Sequence, residues 1–367
     1  ISYGEHDCSE NIIHLVLAKL PDAPAGSAGI SMFIVPKFLV NEDQSLGERN
    51  AVSCGSIEHK MGYAASPTCV MNFDGATGYM VGAPHQGLKY MFVMMNDARI
   101  GSGMAGLGLA NASYQGALGY ARERLQMRSL SGPKNKDGVA DPIIVHPGVR
   151  QLLLTQKAFT EGCRALCLDA ARYGDLAEYG GDEDVRKAAS RRLGFLTPIV
   201  KGFVTEVSNE CVSHGVQVFG GHGYIREHGM EQLMRDCRVS TIYEGTTQVQ
   251  ALDLIGRKIM MDQGRAMRDL AQEIDAFCTG LESHARVAGE AKALRAKLSE
   301  WQQLAAEIGA AAMKNPDEAG AASVDFLMYS GYVVVAWYWL RLVLAAEQKL
   351  AAGGDEEFCQ GKFKAAA

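Results

Sequence analysis

No two cysteines in the 367-residue chain stand in C-x-x-C spacing; the nine are scattered singly at 8, 54, 69, 163, 167, 211, 237, 278 and 359. An odd, dispersed set excludes a disulfide framework and a clustered zinc site, and points to reduced thiols in a cytoplasmic compartment. Positive charge is also not in excess. Against 36 Lys+Arg stand 42 Asp+Glu, a net charge of −6, which argues against a dedicated nucleic-acid surface. No apolar run reaches the length of a membrane span. The nearest, Phe326 to Leu340, contains Ser330 and Gly331, and would give roughly 22 Å of helix against a ~30 Å hydrocarbon core. It is expected to be a helix buried in a bundle. The opening Ile1-Ser2-Tyr3-Gly4 has neither a charged nor an apolar leader region, so no signal peptide is expected. No internal repeat is evident, and no G-x-G-x-x-G follows a strand pattern, which leaves a Rossmann reading unsupported. What the chain does have is 47% hydrophobic and 21% charged residues, the composition of a globular protein of two or three domains.

The pattern changes near residue 88. Before it, the apolar runs Ile12 to Leu17, Gly29 to Val35 and Thr68 to Phe73 alternate with turn residues such as Pro21-Asp22-Ala23-Pro24 and Asp74-Gly75. That grammar predicts short, mostly antiparallel strands, because the connections are too short for helical crossovers. After it, Leu88 to Arg128 reads as one helix, with small residues at 101, 103, 105, 106, 108, 110 and 112 that permit close helix contact. The polar loop Ser129 to Asp141 ends it, and His146-Pro147 opens a second helix to about Ala171. Asp184 to Gly215 is a third, with a kink or junction expected at Pro198. Residues 216–248 read as irregular, and a fourth helix begins with Val249 and Leu252 on a 3.6 period. From about 261 onward everything reads helical, broken at Asn315-Pro316-Asp317, with the last residues frayed.

Two stretches carry chemistry: Gln217-Val-Phe-Gly-Gly-His-Gly-Tyr224, and Arg235-Asp236 followed by Thr241-Ile-Tyr-Glu-Gly-Thr-Thr-Gln248. Gly220, Gly221 and Gly223 serve either a tight turn or the close approach of backbone to a ligand. Glu244 has two readings as well. Thr241-Ile-Tyr-Glu244 fits a capping box, with Thr246 or Thr247 as an alternative N-cap. A carboxylate on a Gly-flanked turn at a helix start can equally act as a base in a cleft.

Taken together, these motifs resemble the acyl-CoA dehydrogenase flavoprotein family. Gly62 to Val81 resembles its last β-domain strands, Asn96-x-x-Arg99 the start of its helical domain, and the acidic segment after 261 the extra domain of a larger bacterial branch. The resemblance implies an α+β fold, mostly α. A partial middle β domain (1–86) would precede a four-helix bundle (87–260) and an additional C-terminal helical domain (261–367). The N-terminal helices and part of the β domain of that fold have no counterpart here, as expected of a piece of a longer protein.

The resemblance implies FAD-dependent α,β-dehydrogenation of an acyl-CoA thioester. Glu244 would be the base that takes the α-proton while the β-hydrogen leaves as hydride to the flavin. The position used for the base in some relatives is Ala98 here, which cannot take a proton. Arg124 matches the arginine that pairs with the flavin pyrophosphate across a dimer. Gln217, Gly220 and Gly221 match contacts to a neighbouring subunit's FAD, and His146, Thr246, Gln248 and Ser2 match further flavin contacts. Asn96 and Arg99 match a CoA-side pair, and Tyr243 and Gly245 flank the base as substrate contacts. Met127 stands where the family often has Phe. The implied partners are acyl-CoA, an electron-transfer flavoprotein and further copies of the chain, as dimer or tetramer, in a bacterial cytoplasm. An acyl-CoA oxidase is the same-fold alternative. A DNA-associated flavoprotein is the other, and 11 Lys/Arg against 15 Asp/Glu after residue 261 speak against it.

Overall fold

The computed structural model describes residues 1–366 and divides into two compact units, Ile1–Ala98 and Arg99–Ala367. The first is built from strands β1 (Ile13–Lys19), β2 (Ile30–Pro36), β3 (Phe38–Val40), β4 (Leu46–Arg49), β5 (Ser53–Ile57), β6 (Cys69–Asn72) and β7 (Tyr79–Val81). β1, β2 and β7 form one sheet in that order, while β3–β4 and β5–β6 are separate pairs. Every pairing is antiparallel; the short connections require this for β1–β2, β3–β4 and β5–β6, whereas β3 to β6 lie between β2 and β7 in the chain. Buried Asn50 links the pieces: its amide donates to the carbonyls of Pro36 (2.8 Å) and Thr77 (2.9 Å), and its Oδ1 accepts from Thr77 N (2.9 Å).

The second unit is helical. Its elements are α1 (Gly87–Glu123, beginning in the first unit), α2 (Pro147–Tyr179), α3 (Glu183–Phe219), α4 (Gly221–Tyr224), α5 (Met230–Arg238), α6 (Thr247–Leu252), α7 (Arg265–Thr279), α8 (Ala288–Ala312), α9 (Asp317–Ala351) and α10 (Glu356–Ala366). A π-helical segment, Asp253–Met260, continues α6. Gly103 and Gly106 do bring α1 close to α3: a Cβ on Gly103 would lie 2.7 Å from the Val200 carbonyl oxygen. The small residues at 101, 108 and 112 instead face solvent.

Four local expectations need correction. Pro198 does not divide α3, which runs unbroken from 183 to 219; Phe195 to Thr205 are all buried, and that packing outweighs the ~3 kcal/mol of a mid-helix proline. The 216–248 stretch contains a regular helix, α5. The fourth helix leaves the 3.6 period after Leu252 for π geometry. Glu356–Ala366 is a helix and not a frayed tail, because Cys359 and Phe363, four residues apart, are both buried and Lys362 pairs with Glu161 on α2 at 2.8 Å; Ala367 lies outside the described residues.

α9 is the one helix among the described residues long and apolar enough to cross a membrane, and 61% of its most apolar window is buried within the protein. Three of its polar side chains are satisfied there, while the buried Trp337 Nε1 has no partner among the described residues. Ser330 accepts from Trp301 Nε1 on α8 (2.8 Å), the Tyr338 hydroxyl donates to Asp169 on α2 (2.7 Å), and Trp339 Nε1 donates to the Ala158 carbonyl (3.0 Å).

Candidate functional site

Five of the residues singled out in the sequence line one cavity of about 780 Å³ in the helical unit: Arg124, His146, Gln217, Gly220 and Gly221. Arg124 stands just past the end of α1, and Gln217 in the last turn of α3. Gly220 caps α3 with φ 59° and ψ −136°, a conformation open to glycine and strained for any side chain. A Cβ on Gly220 or Gly221 would meet nothing within 4 Å, so the backbone here borders open space that a ligand can approach. The wall carries an aromatic stack absent from the sequence reading: Tyr120 lies on Phe219 with centroids 4.1 Å apart, and its hydroxyl meets His222 Nδ1 at 2.9 Å.

The far wall is held by a loop whose organiser was also missed. Asp141 is fully buried; its carboxylate accepts from the backbone N–H groups of Asn135 (2.6 Å), Ser129 (2.8 Å) and Lys134 (2.8 Å). Those bonds, assisted by Arg128, pull its pKa down to about 2 against the opposing effect of burial. Its main chain exchanges bonds with Gln126 (2.9 Å) and Met127 (2.8 Å). His146 Nε2 then donates to the Gln126 carbonyl at 3.0 Å, which fixes the ring beside the cavity. The only cue in the sequence was a polar loop, and polar loops seldom show which residue is buried.

Glu244 sits on a turn between α5 and α6, with φ 56°, followed by Gly245 at φ 90°. Left-handed backbone at a glutamate is uncommon and needs support from its surroundings. Buried Gln250 on α6 supplies it, its Nε2 donating to the carbonyls of Glu244 (3.1 Å) and Gly245 (3.4 Å). The backbone N–H of Glu244 makes no hydrogen bond to the described residues. The capping-box reading does not hold. Thr246 is the N-cap of α6, accepting from Val249 N at 3.4 Å, and Glu244 lies outside the helix. Tyr243 is bonded to Ser102 on α1; burial pushes its phenol pKa up, the Ser102 bond lowers it, and Glu244 adds to the rise. Thr247 donates to Glu206 on α3, and Gln248 is exposed.

Three expected site residues remain. Ser2, in the first unit, bridges to Thr68. Asn96 belongs to the first unit and Arg99 to the second. Arg99 is buried, with its guanidinium 3.5 Å from Asp253.

Residues 85–260 match the family model "Acyl-CoA dehydrogenase, C-terminal domain", and residues 270–367 match "Acetyl-CoA dehydrogenase C-terminal like". The chain is 46% identical over its whole length to 3-methylmercaptopropionyl-CoA dehydrogenase of Ruegeria pomeroyi, covering 62% of that protein. It is 35% identical, over 98% of its length and 61% of the relative, to the broad-specificity linear acyl-CoA dehydrogenase FadE5 of Mycobacterium tuberculosis. The chain thus spans about three fifths of the length of these curated relatives. In fold it is similar to Caenorhabditis elegans ACDH-11, solved in complex with C11-CoA (TM-score 0.78, 21% identity, 97% of this chain and 56% of that one). A Bacillus anthracis acyl-CoA dehydrogenase complexed with FAD is another structural neighbour (TM-score 0.70, 21% identity, 96% and 60%). With both family models matched in order and this identity along its whole length, the chain belongs to the acyl-CoA dehydrogenase family.

Proposed function

We propose that this chain is the base-bearing part of a bacterial, cytoplasmic, FAD-dependent enzyme that converts an acyl-CoA thioester to the trans-2-enoyl-CoA. We read residues 1–86, 87–260 and 261–367 as its partial β domain, its four-helix bundle and an additional helical domain. The observation that carries the reading is the Glu244 turn: a carboxylate on left-handed backbone, clamped from beneath by Gln250, with a free backbone N–H at the same residue.

In this reading the Glu244 carboxylate takes the proton from the α-carbon, and its own N–H stabilises the charge that develops on the thioester oxygen. FAD, when bound, supplies the acceptor for the β-hydrogen as hydride. The cavity residues fit that cofactor. Arg124 offers a cation to the pyrophosphate, the Gly220–Gly221 backbone leaves it room, and Gln217 and His146 bring polar groups to its rim, with Thr246, Gln248 and Ser2 as further flavin contacts. Asn96, Tyr243 and Gly245 are assigned to the acyl-CoA side. Arg99 contributes through Asp253, which anchors the segment after α6. Such a cavity serves a partner subunit's cofactor, so the working unit is a dimer or tetramer, with an electron-transfer flavoprotein as the acceptor. The Ruegeria pomeroyi relative supports a short, sulfur-bearing acyl-CoA, and the Mycobacterium tuberculosis relative a linear one. Bleaching of the flavin by 3-methylmercaptopropionyl-CoA and by a linear chain-length series separates the two.

The test of the base is Glu244→Gln in the full-length protein. The variant is expected to fold, hold FAD and bind acyl-CoA while flavin reduction falls by about 10⁴-fold, the upper end for a general base. A yellow variant that keeps a tenth of the normal reduction rate removes Glu244 from the mechanism.

A further inference from the structure

α6 covers polar residues and exposes its bulky apolar ones. Val249 and Leu252 are 43% and 48% exposed, whereas Thr247 and Gln250 are buried. A surface helix ordinarily does the reverse. Burying a hydroxyl or an amide costs free energy unless its hydrogen bonds are made, so each of these two side chains needs a partner.

Their partners differ in kind. Thr247 donates to Glu206 on α3, a bond that fastens the helix to the bundle. The Gln250 amide makes no bond to another helix among the described residues. Side chains on a helix lean toward its N-terminus, and Gln250, in the first turn of α6, reaches back to the turn before it. Its Nε2 donates to the carbonyls of Glu244 (3.1 Å) and Gly245 (3.4 Å). No other donor meets either carbonyl among the described residues. Gly245 leaves the room for this contact, since a Cβ there would lie 2.7 Å from Nε2. On the other side, the Cβ of Gln250 lies 3.4 Å from where a Cβ on Gly202 of α3 would stand.

The other end of the amide is left over. Oε1 is buried without a partner among the described residues, in a protein interior where such acceptors are normally paired. An apolar side chain of the same length would fill this place without that cost. What glutamine supplies there, and methionine does not, is the pair of donated hydrogen bonds. Both end on the residues whose backbone is left-handed, φ 56° at Glu244 and 90° at Gly245. At a residue other than glycine such backbone persists only where its surroundings hold it.

We infer that Gln250 is a positioning residue for the reaction: through these two bonds it fixes where the Glu244 carboxylate and the Glu244 N–H stand, and so governs the rate of proton abstraction while leaving the binding of acyl-CoA unchanged. This rests on Glu244 being the base. In that reading the base and the donor to the thioester oxygen belong to one residue, so a shift of its backbone displaces both at once. Misplacement by about 1 Å can cost on the order of 10²-fold in rate. A role confined to packing α6 makes a different demand, because the Thr247–Glu206 bond then matters as much as the amide.

The experiment is anaerobic stopped-flow reduction of the full-length, flavin-loaded protein by 3-methylmercaptopropionyl-CoA or, where it bleaches the flavin faster, a linear acyl-CoA. It reads the plateau rate and the half-saturating concentration. Gln250→Met keeps the length of the side chain and removes the donor. Its plateau is expected to fall about 10–100-fold while half-saturation stays within about threefold, the signature of an interaction that acts in the transition state alone. Thr247→Val removes the bond to Glu206 and leaves the amide in place; it is expected to lower the thermal midpoint and keep the plateau within about threefold. An equal fall in both variants, a plateau kept in Gln250→Met, or a loss that appears in half-saturation instead overturns the inference. Should Gln250→Met not fold, Gln250→Asn, whose amide stops one methylene short of the carbonyls, decides by the same two quantities. Glu244→Gln keeps the two readings apart. If its reduction rate stays within about tenfold of wild type, the base assignment itself fails; if reduction is lost there and unchanged in Gln250→Met, only the positioning role fails.

Discussion

The two units treat their apolar residues differently. In the helical unit, Phe195, Phe203, Trp301, Leu270 and Ile274 are 0–1% exposed, and even the indole and phenol groups of Trp301 and Tyr338 find partners. In the strand unit, Ile13, Leu15 and Leu17 alternate along β1 and remain 52%, 47% and 38% exposed. Alternation puts one side of β1 outward, and the three-stranded sheet has nothing of its own to lay over that side. A helix bundle closes on itself, whereas a small open sheet needs a second layer to bury both faces. Apolar content is thus similar in kind, and the architecture decides how much of it stabilises the fold.

The largest expected effect tests the helical side. Phe203→Ala leaves a cavity against Phe159 and Tyr332, whose rings lie 6.3 and 5.1 Å from it, and should cost about 3–5 kcal/mol in urea unfolding. A loss below 1 kcal/mol would mean that α3 and α9 collapse onto the gap, and the contrast between units would weaken.

Next comes the cavity. Arg124→Ala should weaken FAD retention about 10–100-fold, the scale of one lost charge-assisted hydrogen bond. Arg122→Ala, on the same helix end but outside the cavity lining, should change it little. Equal losses would mean that only general surface charge matters.

Asp141→Asn separates local order from global packing. Because the folded carboxyl titrates near 2 instead of 3.8, the stability it contributes is complete above the ordinary carboxylate range and is lost as pH falls toward 2. Wild type and variant should therefore differ most near neutral pH, and the two unfolding curves should converge on acidification. A gap that stays constant down to pH 2 would show that hydrogen-bond geometry matters here and ionisation does not. The smallest effect belongs to the strand unit: in residues 1–367, Leu15→Ser should stay within about 0.5 kcal/mol of the parent. A cost above 2 kcal/mol would show that the exposed face of β1 is packed in solution.

Much of the fold was legible locally. Turn chemistry around Pro21–Pro24 and Asp74-Gly75 marked the strands, and Asn315-Pro316-Asp317 marked the break before α9. The misreadings share one cause. Pro198, the frayed-looking C-terminus and the glycine-rich 216–248 stretch were judged by local propensity, whereas the helices there are maintained by burial against other elements. A one-dimensional pattern does not show which side of a weak segment another element will cover.

The sequence by itself determined the family, the helical and strand regions, and the residues that converge on the cavity, because Arg124, His146, Gln217, Gly220 and Gly221 belong to a set of motifs that is specific in combination. Only the tertiary structure decided the roles of Gln250 and Asp141. Each is an ordinary polar residue in its own segment. What sets it apart is burial and the partners that burial imposes, and those side-chain partners lie 5 to 13 positions away along the chain.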